Sequence, residues 1–112
     1  NAHGTSSKLG DHVESLAMRD IFSNQSLSPW INSTKSLIGH CLSSSGIIES
    51  IATIIQMKDG FLHANPHLKN PIDNTLNWVG NKNQLFEIKN AMSNNFGFSG
   101  INSCQIFSSA QG

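Results

Sequence analysis

Apolar positions recur with helical spacing in two stretches of this chain and gather into short strand-like runs elsewhere. In the first stretch Val13, Leu16, Ala17 and Ile21 fall along one face. Asp11 stands as its N-cap, Glu14 occupies the capping-box position, and the Asn- and Ser-rich run from Ser23 to Pro29 ends it. In the second, Ile47, Ile48, Ile51, Ile54 and Ile55 mark one side of a helix that Gly60 caps, while Glu49, Ala52, Thr53 and Gln56 fall on another. The isoleucine stripe is expected to face the core. Trp30 and Ile31 predict a short buried strand, Phe61 to Ala64 another, and the alternation of Phe86, Ile88 and Met92 a third, apart from Asn90. A last strand is expected over Ile101 to Phe107, after a loop from Asn94 to Gly100. Between these elements the density of Asn, Pro, Gly and Asp makes most of Asn65 to Asn83 a surface loop, with Leu76, Trp78 and Val79 pinning it to the core. Helices alternating with strands predict an α/β class, without a separate domain boundary in residues 1–112.

Composition narrows the function classes. The 112 residues carry no net charge with histidines neutral, and the lysines are scattered, so no footprint for nucleic acid or an anionic membrane is present. The apolar run Ile47 to Met57 is interrupted by polar residues and is far shorter than the ~20 residues of a bilayer span, and no secretory signal is visible. Two cysteines, Cys41 and Cys104, lie far apart and without metal-ligand spacing. That suits a reducing compartment, with the cytoplasm as the default, and both are expected to be buried small hydrophobes. His63 and His67 sit four apart, but Pro66 breaks any helix that would face them together, so no metal site is expected there.

The candidate chemistry lies in three segments. They are Asn1-Ala2-His3-Gly4-Thr5-Ser6-Ser7-Lys8-Leu9-Gly10-Asp11, the central run Asn32-Ser33-Thr34-Lys35-Ser36-Leu37-Ile38-Gly39-His40 continuing to Glu49, and Asn94-Asn95-Phe96-Gly97-Phe98-Ser99-Gly100-Ile101-Asn102. In order and spacing they resemble the β-ketoacyl synthase family of condensing enzymes, over essentially the whole chain. The resemblance implies a thiolase-like layered α-β-α-β-α fold, a mixed sheet with helices packed on it, of which this chain supplies the later part of the second half. It implies decarboxylative Claisen condensation of an acyl thioester with a malonyl group on an acyl carrier protein, in fatty acid or polyketide biosynthesis.

The resemblance also assigns roles. His3 and His40 would donate N–H groups to the enolate oxygen, Lys35 with Glu49 would orient that histidine shell, and Phe98, between Gly97 and Gly100, would gate the nucleophile and lend its N–H to an oxyanion site. The family's nucleophilic cysteine lies upstream of the first segment, and the chain opens at Asn1 without a methionine. It is therefore read as the C-terminal portion of a longer enzyme. The expected partners are the N-terminal portion of that synthase, an acyl carrier protein and a second synthase subunit in a homodimer or heterodimer. No cofactor is expected, because the carrier's phosphopantetheine arm brings the acyl groups. A chain-length-factor-like or decarboxylase-only partner subunit is the alternative. Ser99, the Ser43-Ser44-Ser45 run and Ser7-Lys8 stand where the family more commonly has Gly, Gly-Ala-Ala and Thr-Pro, which suggests a divergent branch.

Overall fold

A computed structural model describes residues 1–23 and 28–110, so residues 24–27 of the expected Ser23 to Pro29 terminator and the end of the Ser-rich tail lie outside the described residues. The first helix, α1 (Lys8–Phe22), begins one turn earlier than predicted. Ser7, with extended backbone, is its N-cap, and the Asp11 N–H donates to the Ser7 carbonyl at 3.0 Å. Asp11 therefore sits inside the first turn, where a carboxylate meets the positive end of the helix dipole. Glu14 takes no part in a capping box. It turns inward with Ser15 and Met18, whereas the predicted face is outward, with Val13, Ala17 and Ile21 exposed.

Met18 explains that rotation, because with Ala2, Ile31 and Leu76 it forms the apolar core against which Phe22 and Trp78 pack. The strand β1 (Trp30–Ile31) pairs in parallel with β3 (Asn77–Trp78), and β2 (Phe61–Leu62) pairs antiparallel with β4 (Gln84–Leu85). The hairpin of β5 (Asn90–Phe96) and β6 (Asn102–Ser108) runs antiparallel, with Asn90 opposite Ser108 and Phe96 opposite Asn102. Residues 1–2 join these pieces. The Asn1 nitrogen donates to the Met92 carbonyl at 2.7 Å, Asn94 N–H donates back to the Asn1 carbonyl at 3.0 Å, and Ala2 N–H donates to the Asn32 carbonyl at 2.7 Å. That pattern is a parallel bridge to β5, so the mixed sheet reads β3, β1, residues 1–2, β5, β6.

Side chains alternate across this sheet. Ala2 and Ile31 face α1, while Asn1 and Asn32 face the central helix α3 (Ser45–Asp59), which ends at Gly60 in the left-handed conformation, φ +69°. The sheet is thus covered by one helix on each face. Here the expectation for the isoleucine stripe is overturned: Ile47, Ile51, Ile54 and Ile55 are exposed, Ile47 by 63%, and the buried side of α3 is Ser45, Glu49, Ser50, Thr53 and Gln56. Polar side chains win that face because each finds a partner. Gln56 accepts from Asn32 Nδ2 at 2.8 Å, Thr53 donates to the Glu49 carbonyl at 2.8 Å, and Ser50 reaches Gln105 on β6.

Other boundaries shift for similar reasons. Asn90 belongs to β5 because its Oδ1 accepts the Ser108 hydroxyl across the hairpin at 2.8 Å, and Phe86 and Ile88 precede the strand. The Phe61 run is a strand for two residues only, and the last strand begins one residue later than Ile101. Cys104 is exposed on the outer strand and Cys41 only partly covered, contrary to the expected burial. The long loop is pinned as expected by Leu76, Trp78 and the fully buried Val79. Among the described residues no helix is long and apolar enough to cross a membrane.

Asn65 holds that loop in place. Its Oδ1 accepts from Ser33 N–H at 3.0 Å, and its Nδ2 donates to the carbonyls of Val79 at 2.7 Å and Ile31 at 3.3 Å. Asn65→Ala leaves the Ser33 N–H and the Val79 carbonyl unpaired, while the Ile31 carbonyl keeps the Val79 N–H at 2.9 Å, an expected loss of about 2–3 kcal/mol in a denaturant titration. A change under about 0.5 kcal/mol would show that the loop is held by Leu76 and Val79 alone.

Candidate active site

Three loops at one end of the sheet build a polar cluster. The first leaves the sheet after Ala2 and turns at Gly4, φ +42°, where a Cβ would lie 2.8 Å from the Ser33 hydroxyl oxygen, so only glycine fits. Glu14 of α1 fixes this turn by accepting N–H bonds from His3 at 2.8 Å and Gly4 at 2.9 Å. The sequence reading missed that role. Its signal was an acidic residue one turn ahead of Met18 on the same face, which the capping-box reading absorbed.

The second loop holds α2 (Lys35–Ile38), a single turn that closes at Gly39, φ +76°, and presents His40. Lys35 Nζ is bonded to Glu49 Oε1 of α3, both side chains being almost wholly buried, and Nζ also lies 3.4 Å from His3 Nδ1. Asn1 Nδ2 donates to the other carboxylate oxygen, Glu49 Oε2, at 3.1 Å. His40 is exposed, and its ring meets that of His3 edge-on with centroids 5.8 Å apart. The third loop follows β5, whose Phe96 N–H donates to His3 Nδ1 at 3.4 Å and whose Phe96 ring lies 5.4 Å from that of His3.

Both imidazoles are accepting at Nδ1. Leu42 N–H donates to His40 Nδ1 at 2.9 Å, with the Ser45 hydroxyl 3.2 Å away, just as Phe96 and Lys35 approach His3 Nδ1. A neutral ring that accepts there carries its proton on Nε2. Burial, and after it the Lys35 charge, push the His3 pKa below its ordinary value, so the ring is neutral at pH 7. The result is two adjacent Nε2–H donors, which suit an oxygen that gains negative charge. His40 borders a cleft of about 500 Å³ lined also by Gly4, Thr5, Ser33, Lys35 and Asn65, among others.

The cluster brings together His3, Lys35, His40 and Glu49. Phe98 is apart from it, 97% exposed at the tip of the third loop. Gly97 N–H donates to the Ile101 carbonyl at 2.6 Å and pinches the loop, and Gly100 has φ +77°. Ser99 sits at φ +62°, where a glycine would rest without strain. The other non-glycine residues with positive φ among those described are Ser6 and Leu42, so each of the three site loops stores backbone strain. Among the described residues no group of three His, Cys, Asp or Glu side chains converges as a metal site would.

Residues 1–69 match the family described as beta-ketoacyl synthase, C-terminal domain. The chain is 43% identical over 102 residues to the polyketide biosynthesis malonyl-ACP decarboxylase PksF of Bacillus subtilis, covering 91% of this chain and 24% of that protein. It is 44% identical over 110 residues to the chloroplastic 3-oxoacyl-[acyl-carrier-protein] synthase II of Arabidopsis thaliana, covering 96% of this chain and 20% of that one. The chain thus spans about a quarter of the length of these relatives or less. Among solved structures, a type II polyketide acyl-carrier protein in complex with its ketosynthase superposes with a TM-score of 0.89 at 30% identity, over 98% of this chain and 27% of the matched one. A β-ketoacyl synthase from Burkholderia phymatum gives a TM-score of 0.85 at 32% identity, over 99% and 27%.

An NMR titration of the complete protein should place the His3 midpoint below the ordinary value of about 6.5. Because folding lowers this pKa, the unfolded state binds the proton more readily as pH falls through that window, and stability contributed by neutral His3 is lost there while remaining intact above it. Lys35→Met removes the cation and should move the midpoint upward. A midpoint unmoved by Lys35→Met would show that Lys35 does not act on the imidazole.

Proposed function

The chain belongs to the β-ketoacyl synthase family and has its thiolase-like fold, and from that premise we propose that it forms the C-terminal portion of an enzyme that decarboxylates a malonyl thioester and condenses the product with an acyl thioester. The observation that carries this reading is the pair of neighbouring imidazoles, 5.8 Å apart, each accepting at Nδ1 and neither hydrogen-bonded at Nε2 among the described residues.

The chemistry follows from that pair. The malonyl carboxylate leaves as carbon dioxide, and the electron pair of the broken C–C bond enters the thioester as an enolate. His3 and His40 donate to the enolate oxygen, where two preorganised donors lower the barrier without reorganising solvent. The carbanion end then attacks the carbonyl of an acyl group held as a thioester on a cysteine elsewhere in the complete protein, and the cysteine thiolate departs. Lys35 and Glu49 hold the His3 ring in register, and Phe98 with Gly97 and Gly100 gates the acyl site. In this reading the enzyme is a cytoplasmic dimer that takes acyl groups from an acyl carrier protein, as the ketosynthase with a TM-score of 0.89 is solved with its own carrier. It has no cofactor of its own.

A second reading has a specific support: one relative, 43% identical, is named a malonyl-ACP decarboxylase. In that case the first half of the chemistry stands and the condensation is absent. Formation of an acyl-enzyme thioester by the complete protein separates the two readings.

In this reading the rest of the protein fills a cleft of about 490 Å³ between β1 and β5, lined by Trp30, Ile31, Ala91 and Met92 and by Asn1. A strand preceding Asn1 fits between these edges, and the outward isoleucines of α3 offer a second face to the same portion. Ile51→Asp in the complete protein should then bury an unpaired carboxylate and cost at least about 2 kcal/mol in a denaturant titration. A surface-like effect below about 0.5 kcal/mol would mean that nothing covers this face.

Replacing either histidine tests the chemistry. His3→Ala or His40→Ala removes one donor and should lower malonyl decarboxylation about a hundredfold, as single oxyanion-donor deletions do. Transfer of the first acyl group to the enzyme depends on a different oxyanion site and should fall less. Intact decarboxylation with abolished acylation would reverse the assigned roles.

A further inference from the structure

His40 supplies half of the donor pair, yet it is the less confined of the two imidazoles. His3 is approached by Lys35, by the Phe96 N–H and by the Phe96 ring, whereas the His40 ring is exposed and is met edge-on by His3. The torsion that turns an imidazole about its Cβ–Cγ bond is broad and roughly two-fold, and a half-turn puts Cε1–H where Nε2–H had been. An exposed ring keeps its orientation only if something holds Nδ1.

Two groups reach that atom. Leu42 N–H lies 2.9 Å from His40 Nδ1, and the Ser45 hydroxyl oxygen lies 3.2 Å from it. A backbone N–H only donates, so Nδ1 presents a lone pair there and not a proton. The hydroxyl opposite the same lone pair must donate as well, and it makes no other hydrogen bond among the described residues. Ser45 is only 4% exposed, which leaves little room for water to take its place. A half-turn of the ring therefore breaks two bonds and strands a buried hydroxyl.

The two donors are also tied to each other. Ser45 N–H donates to the Leu42 carbonyl and closes the short turn Leu42–Ser44, in which Leu42 holds φ +52°, a left-handed conformation that is strained for a residue with a β-carbon. Ser45 is the first residue of α3, the helix that carries Glu49. Its hydroxyl thus links His40 to the element that holds Lys35 beside His3.

We propose that Ser45 is a positioning residue for the decarboxylation, its hydroxyl pinning the His40 imidazole at Nδ1 so that Nε2–H stays turned toward the enolate oxygen, a role that rests on the function proposed above. Donation to Nδ1 also draws electron density from the ring. Because linked hydrogen bonds polarise one another, it makes Nε2–H the stronger donor.

The complete protein supplies the test. Ser45→Ala removes one hydroxyl and leaves a good helix former at the start of α3, so the fold is kept. It should lower kcat for malonyl decarboxylation about fivefold, as the loss of one neutral hydrogen bond does, with KM little changed. The double variant with His40→Ala should be no slower than His40→Ala alone, because Ser45 acts only through that ring. Nitrogen-15 NMR at about pH 8, where an ordinary imidazole is neutral, gives an independent arm. His40 Nδ1 should resonate as an unprotonated, hydrogen-bonded nitrogen, and Ser45→Ala should move it toward the position of a free one. An unchanged rate, an equal further loss in the His40→Ala background, or an unmoved Nδ1 resonance would each overturn the proposal. A wild-type protein without decarboxylase activity, its Nδ1 resonance still moved by Ser45→Ala, would refute the proposed function instead.

Discussion

The buried bond between Lys35 and Glu49 is the constraint around which the structure is arranged. Their side chains retain only 4% and 2% of their exposure, so each ion has given up its water. The desolvation cost of such a pair is offset only when geometry is good and the remaining polar valences are filled. Both conditions are met here by residues far apart in sequence. Asn1 fills the second oxygen of Glu49, and His3 receives the lysine from the other side. The pair therefore demands that the start of the chain, the short turn α2 and the helix α3 be in place together, and the sheet supplies that alignment.

A polar interior follows from the same demand. The side of α3 that faces the sheet carries Glu49, Ser50, Thr53 and Gln56, and the sheet answers with Asn1, Asn32 and Ser93. Among the described residues no fully buried side-chain nitrogen or oxygen lacks a partner. Networks of this kind are costly when partly satisfied and rigid when complete. The rigidity is useful beside two imidazoles that must keep their tautomers and their spacing. The apolar core proper, Ala2, Met18, Ile31 and Leu76, lies on the opposite face of the sheet under α1, away from the cluster.

Much of this was legible in the residues. The two long helices, the short strand at Trp30 and Ile31, the capping of α3 by Gly60 and the pinning of the long loop by Leu76 and Val79 follow from local pattern, and the three segments named His3, Lys35, His40 and Glu49 together, whereas β3 inside that loop, β4 and the turn α2 were not read. Which faces point inward was not legible. Periodicity marks the apolar side of a helix and assumes that it is buried, and α3 reverses the assumption because its polar side has partners that only the folded sheet brings near. Glu14 failed for a related reason: a capping box is a local device, and its actual contacts are the backbone amides of His3 and Gly4, reached across the loop that precedes α1. Phe98 was placed by resemblance alone, and its side chain lies off the cluster while Phe96 touches His3.

The bridge from residues 1–2 to the distant strand β5 sets a schedule for the chain as it is made. Asn1 is held by Met92 and Asn94, so the sheet beside it cannot close until nearly all of the chain has left the ribosome. Contacts of such long separation are slow to form, because the loop between them must be ordered before they contribute anything. During synthesis α1 and α3 are complete before the strand that unites them. Vectorial synthesis therefore leaves the cluster that holds His3 among the last parts to assemble.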